Sequence, residues 1–348
     1  MATGAERVRA AFKRTFSDTV PAYPIVGCFT AKLIGASPKQ YFRNPATFAE
    51  SQLAACRRFD PDIVVMMADL LIEAEALGAG VEFPEDAVCY LTKSPLSDDP
   101  GLLVKMEIPD PKSAARMPYY LEACHQVTSS VKDRPVGSTL VGPWAIAAHL
   151  RGIENIIFDT VDRPEYVREL MNFTTQVAKA FGDAVVETGA GLSYSEATVS
   201  CSVISPKIYR EFVKAHHVEL IQHFKAKRVG VTLHVCGFID PIMEDLIETG
   251  ANAISIDSAS SLEKMVEVSQ KRTVIIGNVP TTLFQEGTEA QMREAVKKCI
   301  DIAASHSAYI LSSGCEVPPT APVESVEWFM KAAREFGKYE DHGKEACS

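Results

Sequence analysis

Short apolar runs, each followed by a longer stretch whose apolar residues recur on a helical period, repeat along most of this chain. The runs are Pro24 to Phe29, Asp62 to Met67, Val136 to Val141, Gly191 to Ser195, Val229 to Val235, Ala253 to Ile256, Val274 to Gly277 and Ala308 to Ser312. That makes eight strands separated by helical segments, the pattern of parallel β/α alternation. The expected fold class is therefore α/β, a (β/α)8 TIM barrel with an N-terminal extension and an insertion after the second strand. One barrel domain is expected over residues 1–348, with a helical extension over 1–20 and a C-terminal tail over 339–348.

Helix punctuation fits between the runs. Asn44-Pro45, Ser205-Pro206 and Asp240-Pro241 each offer an N-cap followed by proline at the first helical position. Thr288 with Gln291 fits a capping box, and Gly250 closes the short helix that begins near Asp240. Val167, Leu170, Met171, Val177, Ala178, Phe181 and Val185 form one apolar stripe. The stretch from Phe83 to Arg134 is too long for one connection and predicts an excursion of hairpin form, then a helix from about Pro111.

Chemistry in such a barrel gathers at the carboxyl ends of the strands. Those ends bring together Cys28 and Thr30, Asp69, Gly142-Pro143, Glu196, His234 with Cys236, Asp257, Asn278 and Cys315. In Leu233-His234-Val235-Cys236-Gly237 the imidazole and thiol are two residues apart, so an extended strand turns both to one side. Cys315 follows the last run. Two thiolates and an imidazole suit zinc, and three protein ligands leave a coordination position for a reactant, as in a catalytic rather than a structural site. Core packing is the competing reading for a lone His-x-Cys. Cys56, Cys124 and Cys299 fall in helical patterns and read as packing residues; Cys28 reads as pocket lining, and Cys347 sits on the tail.

The bulk properties narrow the field. A formal charge of −10 argues against a nucleic-acid partner, which needs clustered Lys and Arg. No apolar run is long enough to span a bilayer and the first residues lack an export signal, so a cytoplasmic protein is expected, with no membrane partner. In that compartment the nine cysteines stay reduced, which makes a disulfide framework the weaker reading.

Leu233 to Gly237, Gly277-Asn278-Val279 and Ser313-Gly314-Cys315-Glu316-Val317-Pro318 resemble the zinc-dependent corrinoid methyltransferase branch of the uroporphyrinogen decarboxylase superfamily. Ala68-Asp69, Glu73 to Gly78, Val141-Gly142-Pro143 and Ser205-Pro206 extend the resemblance from about residue 20 to 338. The resemblance implies His234, Cys236 and Cys315 as zinc ligands. It also implies cobalamin carried by a separate corrinoid protein, because the barrel uses nearly the whole chain. Uroporphyrinogen decarboxylation is disfavoured, since Tyr23 to Thr30 lacks the basic residues that those decarboxylases place after the first strand.

Members of the branch either pass methyl from methylcob(III)amide to coenzyme M or load cob(I)amide from methyl donors. The Ser312 to Pro318 segment is more similar to the demethylating group, so a methoxylated aromatic donor is expected. Methylcobamide:coenzyme M methyl transfer, a non-catalytic barrel paralogue with a binding role, and thiol methylation without a corrinoid stay as alternatives. Phe29, Met66, Met67, Trp144, Tyr194 and Phe238 are candidates to line an apolar chamber. Asp257 is the candidate to orient the metal-binding imidazole or handle a proton. Glu196 and Asp69 face the predicted mouth as catalytic, substrate or fourth-ligand groups, and Asn278 binds substrate or fixes the rim. Glu73 and Glu75 read as helix-capping or solvated, Glu316 as outward-pointing, His149 as buried, and His216 and His223 as a solvated helix face. Homo-oligomerisation is left open.

Overall fold

The computed structural model describes residues 1–339. The expected tail therefore lies outside the described residues apart from Tyr339, as does Cys347.

Among the described residues eleven strands run in chain order: β1 Ala22–Tyr23, β2 Val64–Met66, β3 Gly80–Glu82, β4 Tyr90–Lys93, β5 Val136–Ser138, β6 Leu140–Val141, β7 Leu192–Glu196, β8 Val231–Val235, β9 Ala253–Ile256, β10 Val274–Val279 and β11 Tyr309–Ser313. A parallel sheet of seven strands takes the order β1-β11-β10-β9-β8-β7-β6, and β2 pairs in parallel with β5. Two contacts complete the ring. The Asp62 amide donates to the Ala22 carbonyl at 2.8 Å, joining the entry of β2 to β1, and Gly137 bridges Gly191. Helices between the strands cover the outside, as the (β/α)8 barrel requires.

Two elements differ from the sequence expectation. The first strand is Ala22–Tyr23 rather than Pro24 to Phe29. Pro24 has no amide to give to a ladder, so the chain leaves the sheet there and coils into a 3-10 helix over Cys28–Ile34. The third run is broken at Thr139 into β5 and β6, which pair with β2 and β7 respectively. Tyr120 secures the break: its hydroxyl lies 2.8 Å from the Thr139 amide and 2.6 Å from the Met66 carbonyl.

The insertion after β2 holds the β3–β4 antiparallel hairpin, and the helix expected near Pro111 spans Met117–Ser130. Asn44 and Ser205 cap their helices, and Thr288 with Gln291 forms the capping box. Asp240 does not cap; it accepts from the Ser261 amide instead, and a 3-10 turn precedes the helix Met243–Glu248.

The core has two parts. A large shell packs the outward strand faces on the helices, and a smaller cluster fills part of the barrel. Helix α1, Gly4–Phe12, contributes Val8 and Ala11 to that inner cluster, with Phe12 packed against it, at the amino-terminal end of the strands. No described helix is long and apolar enough to cross a membrane.

Candidate metal centre

Strand alternation decides which side chains enter the barrel. In β8, Leu233 and Val235 pack outward into the shell, whereas Thr232 and His234 face the lumen and Cys236 follows them. Gly237 then turns the chain away at φ +74, a backbone conformation that a Cβ disfavours. Cys315 arrives after β11. Gly314 lets it approach, because a Cβ there would lie 2.6 Å from the Ser258 amide nitrogen.

The result is a convergence of three donors at the carboxyl ends of the strands. One ligand atom each from His234, Cys236 and Cys315 lies within 4.8 Å of the others. His234 Nε2 is 3.1 Å from Cys236 Sγ, and the two sulfurs are 3.5 Å apart. A tetrahedral ion with metal–sulfur bonds of about 2.3 Å spaces its ligands by roughly 3.5–3.8 Å, so small rotations accommodate it. Two soft sulfurs with one imidazole favour zinc over a hard, oxygen-seeking cation.

The sulfurs titrate against one another. The contact with Cys236, with His234 beside it, pulls Cys315 below the ordinary thiol range. That same contact, with burial, holds Cys236 above it. One thiolate is therefore poised to form before the second, and a divalent cation would supply the charge that the second requires.

The imidazole is oriented by Ser255, whose Oγ lies 2.9 Å from Nδ1. Asp257, the sequence candidate for that task, sits two residues further on. Its carboxylate accepts from the Ser258 hydroxyl and the Ala259 amide, so its hydrogen bonds serve a turn at the rim. Asn278 Nδ2 donates to the carbonyls of Asp257 and Ser260, which makes it a brace of that rim rather than a group turned to the lumen.

Glu196 and Asp69 are also committed elsewhere. Glu196 is fully buried outside the lumen, where it accepts from the Trp144 and Ala145 amides and pairs with His217 at 2.8 Å. Adjacent Ser195 takes the inward position, so alternation turns Glu196 out. Asp69 receives a bidentate guanidinium from Arg116 at 2.6 and 3.2 Å, and Arg116 also pairs with Glu75.

Of the six chamber candidates, Met67 lines the lumen. Met66 and Tyr194 sit at the alternate, outward positions, and the Tyr194 hydroxyl donates to the Ala178 carbonyl. Phe29 packs near Phe59 in the shell, Trp144 is buried in the helix Pro143–Arg151, and Phe238 stands exposed.

Other acidic and basic residues also depart from expectation. Glu316 lines the lumen beside Cys315, and burial with the neighbouring sulfur pushes its carboxyl up to about 8. Glu73 is buried and accepts from the Val141 amide; Glu75 pairs with Arg116. His149 is buried as expected, whereas His216 contacts Thr175 and His223 pairs with Asp183. Sequence reasoning missed Ser255, Arg116 and the hydroxyl side of the lumen. Counting in twos from His234 along β8, and across the register to β9, was the signal for Ser255 and Thr232.

The fold and the convergent thiol–imidazole set define a barrel protein with a candidate metal site at its mouth. The family profile described as Uroporphyrinogen decarboxylase (URO-D) matches residues 3–336, and the chain belongs to that family. It is 23% identical to a methylcobamide:CoM methyltransferase of Methanosarcina acetivorans over 96% of this chain and 98% of that one. A methylcobamide:CoM methyltransferase of Methanosarcina barkeri is 24% identical, with 95% and 97% covered. A uroporphyrinogen decarboxylase of Herminiimonas arsenicoxydans is 23% identical over 85% of this chain and 84% of its own. The solved structure of a methyltransferase from Methanosarcina mazei superimposes with a TM-score of 0.88 at 23% identity, covering 97% of this chain and 99% of that one.

Proposed function

We propose that this protein is a zinc-dependent methyltransferase that moves a methyl group from a methoxylated aromatic donor to the cob(I)amide of a separate corrinoid protein. The observation that carries the reading is the meeting of His234, Cys236 and Cys315 within 4.8 Å at the carboxyl ends of the strands. Relatives named as methylcobamide:CoM methyltransferases, covered almost end to end, support the corrinoid half of it.

In the transfer, the cobalt electron pair forms the cobalt–carbon bond as the methyl–oxygen bond breaks. The oxygen leaves with both electrons of that bond and takes up a proton. Zinc held by His234, Cys236 and Cys315 would supply Lewis acidity for the departing oxygen. Ser255 keeps the imidazole turned toward the sulfurs, and the outer shell keeps bulk water from the donors' far side.

Methylation of the coenzyme M thiol is the second reading, favoured by the names of the same relatives. One experiment separates the two. Zinc-loaded protein is mixed with a reduced corrinoid protein and a methoxyarene, and the conversion of cob(I)amide to methylcob(III)amide is followed by absorption. Methylation of cobalt supports demethylation. No reaction there, combined with rapid loss of methyl from methylcob(III)amide to coenzyme M, overturns it.

A further inference from the structure

The lumen next to the three donors has a volume of about 250 Å³ and two unlike walls. Ile25, Ile63, Val65 and Met67, around the β1 and β2 positions, form an apolar side. Ser193, Ser195 and Thr232, on β7 and β8, form a hydroxyl-bearing side. In the ring order β1 stands across the barrel from β8, while β2 and β7 flank the β5–β6 position. The lumen continues to Gly191, Gly230 and Asn252 at the amino-terminal ends of their strands, where these residues are exposed.

Its charge is equally distinctive. Among the described residues that line it there is no Lys or Arg, and the one carboxyl group is that of Glu316. Arg116, near the mouth, is already engaged by two carboxylates. An anion entering this space would shed its water and meet no cationic side chain, and the Cys236 and Cys315 thiolates would already offset the charge of a divalent ion held there, so its entry costs several kcal/mol. Ionised, Glu316 repels an anion; neutral, it offers a single hydrogen-bond donor and no counter-charge. A neutral ring meets apolar wall on one face and hydroxyl partners on its other edge. A cavity of about 150 Å³ already holds benzene, so this lumen has room for one substituted ring.

We propose that the lumen selects uncharged methyl donors, each a single aromatic ring with a neutral hydrogen-bonding substituent such as a phenol hydroxyl. It discriminates against ring carboxylates and sulfonated thiols. This selectivity rests on the reading of the protein as a methoxyarene demethylase.

The test is calorimetric titration of the full chain, zinc-loaded and metal-free, with 2-methoxyphenol and with 3-methoxybenzoate at about pH 7.5. There the phenol is neutral and the benzoate ionised. The expected result is that 2-methoxyphenol binds both forms at least about ten-fold more tightly. Ser193→Phe should abolish that binding at unchanged zinc content, and Thr232→Lys should shrink or reverse the preference. Equal affinities in the unaltered protein overturn the proposal, and that comparison needs no variant to fold. Tight binding retained in a folded Ser193→Phe protein also overturns it. The cobalt-methylation assay keeps the two readings apart. Equal demethylation of both donors sinks the selectivity and leaves the reaction standing; a calorimetric preference without demethylation of either sinks the reaction instead.

Discussion

His234 and Ser255 are register partners on adjacent parallel strands, and the serine hydroxyl meets the imidazole at Nδ1 with a separation of 2.9 Å. That contact fixes the ring so that Nε2 is the nitrogen presented to the sulfurs. Removing it should free the ring without disturbing the barrel. Ser255→Ala is expected to weaken zinc affinity by about 10–100-fold. Competition against a chromophoric chelator measures this, and an unchanged affinity would show that the serine does not position the ligand.

Elemental analysis should find one zinc per chain, removable by chelation together with methyl-transfer activity. Cys315→Ala is expected to lose both. Cys28→Ser should keep its zinc, because Cys28 stands outside the cluster of donors even though it lies at the same end of the barrel. A Cys315→Ala protein with full zinc content would rule out the assigned ligand set.

The Arg116 network predicts a stability effect. Arg116 and Asp69 have side chains only 7% and 9% exposed. Asp69→Ala removes the bidentate contact while Glu75 still compensates the guanidinium, which costs on the order of 2–3 kcal/mol. Denaturant unfolding should show that loss, with little change in the midpoint of donor saturation for the surviving folded protein. A large rise in that midpoint with full stability would instead restore Asp69 as a substrate group.

Glu73 makes stability depend on pH. Burial pushes its carboxyl up to about 8 from an ordinary value of 4.5, against the lowering effect of the Val141 amide. Between those values the folded protein holds a proton that the unfolded chain has released, so stability falls as pH rises through this window. The loss amounts to a few kcal/mol at most, on the order of 1.4 per pH unit. Thermal midpoints recorded across this range should decline more gently in Glu73→Gln, which is neutral throughout. An identical decline in both proteins would assign the slope to other groups.

The barrel was readable in the sequence because its strands are short apolar runs bounded by turns, and most begin and end within two residues of expectation. Pro24 misled at the first strand: a run of apolar residues looks extended, but the ladder needs amides that proline lacks. The convergence of His234, Cys236 and Cys315 was legible from i, i+2 spacing and strand-end position. What escaped was orientation. Met66, Tyr194 and Glu196 have the right residue types at the right strands but the wrong parity, and no composition argument distinguishes two faces that are both buried. Arg116 escaped because its carboxylates come from the segment after β2, 47 and 41 residues away.

The 3.5 Å between the sulfurs of Cys236 and Cys315 carries a liability for handling the protein. A covalent sulfur–sulfur bond is only about 1.5 Å shorter than this gap. In air, with no cation to occupy both thiolates, the pair is set up to oxidise and cross-link strand to loop across the barrel mouth. Preparations stripped of metal under oxygen would then refuse zinc until a reductant is added, and inactivity in such samples would reflect redox history rather than a missing activity.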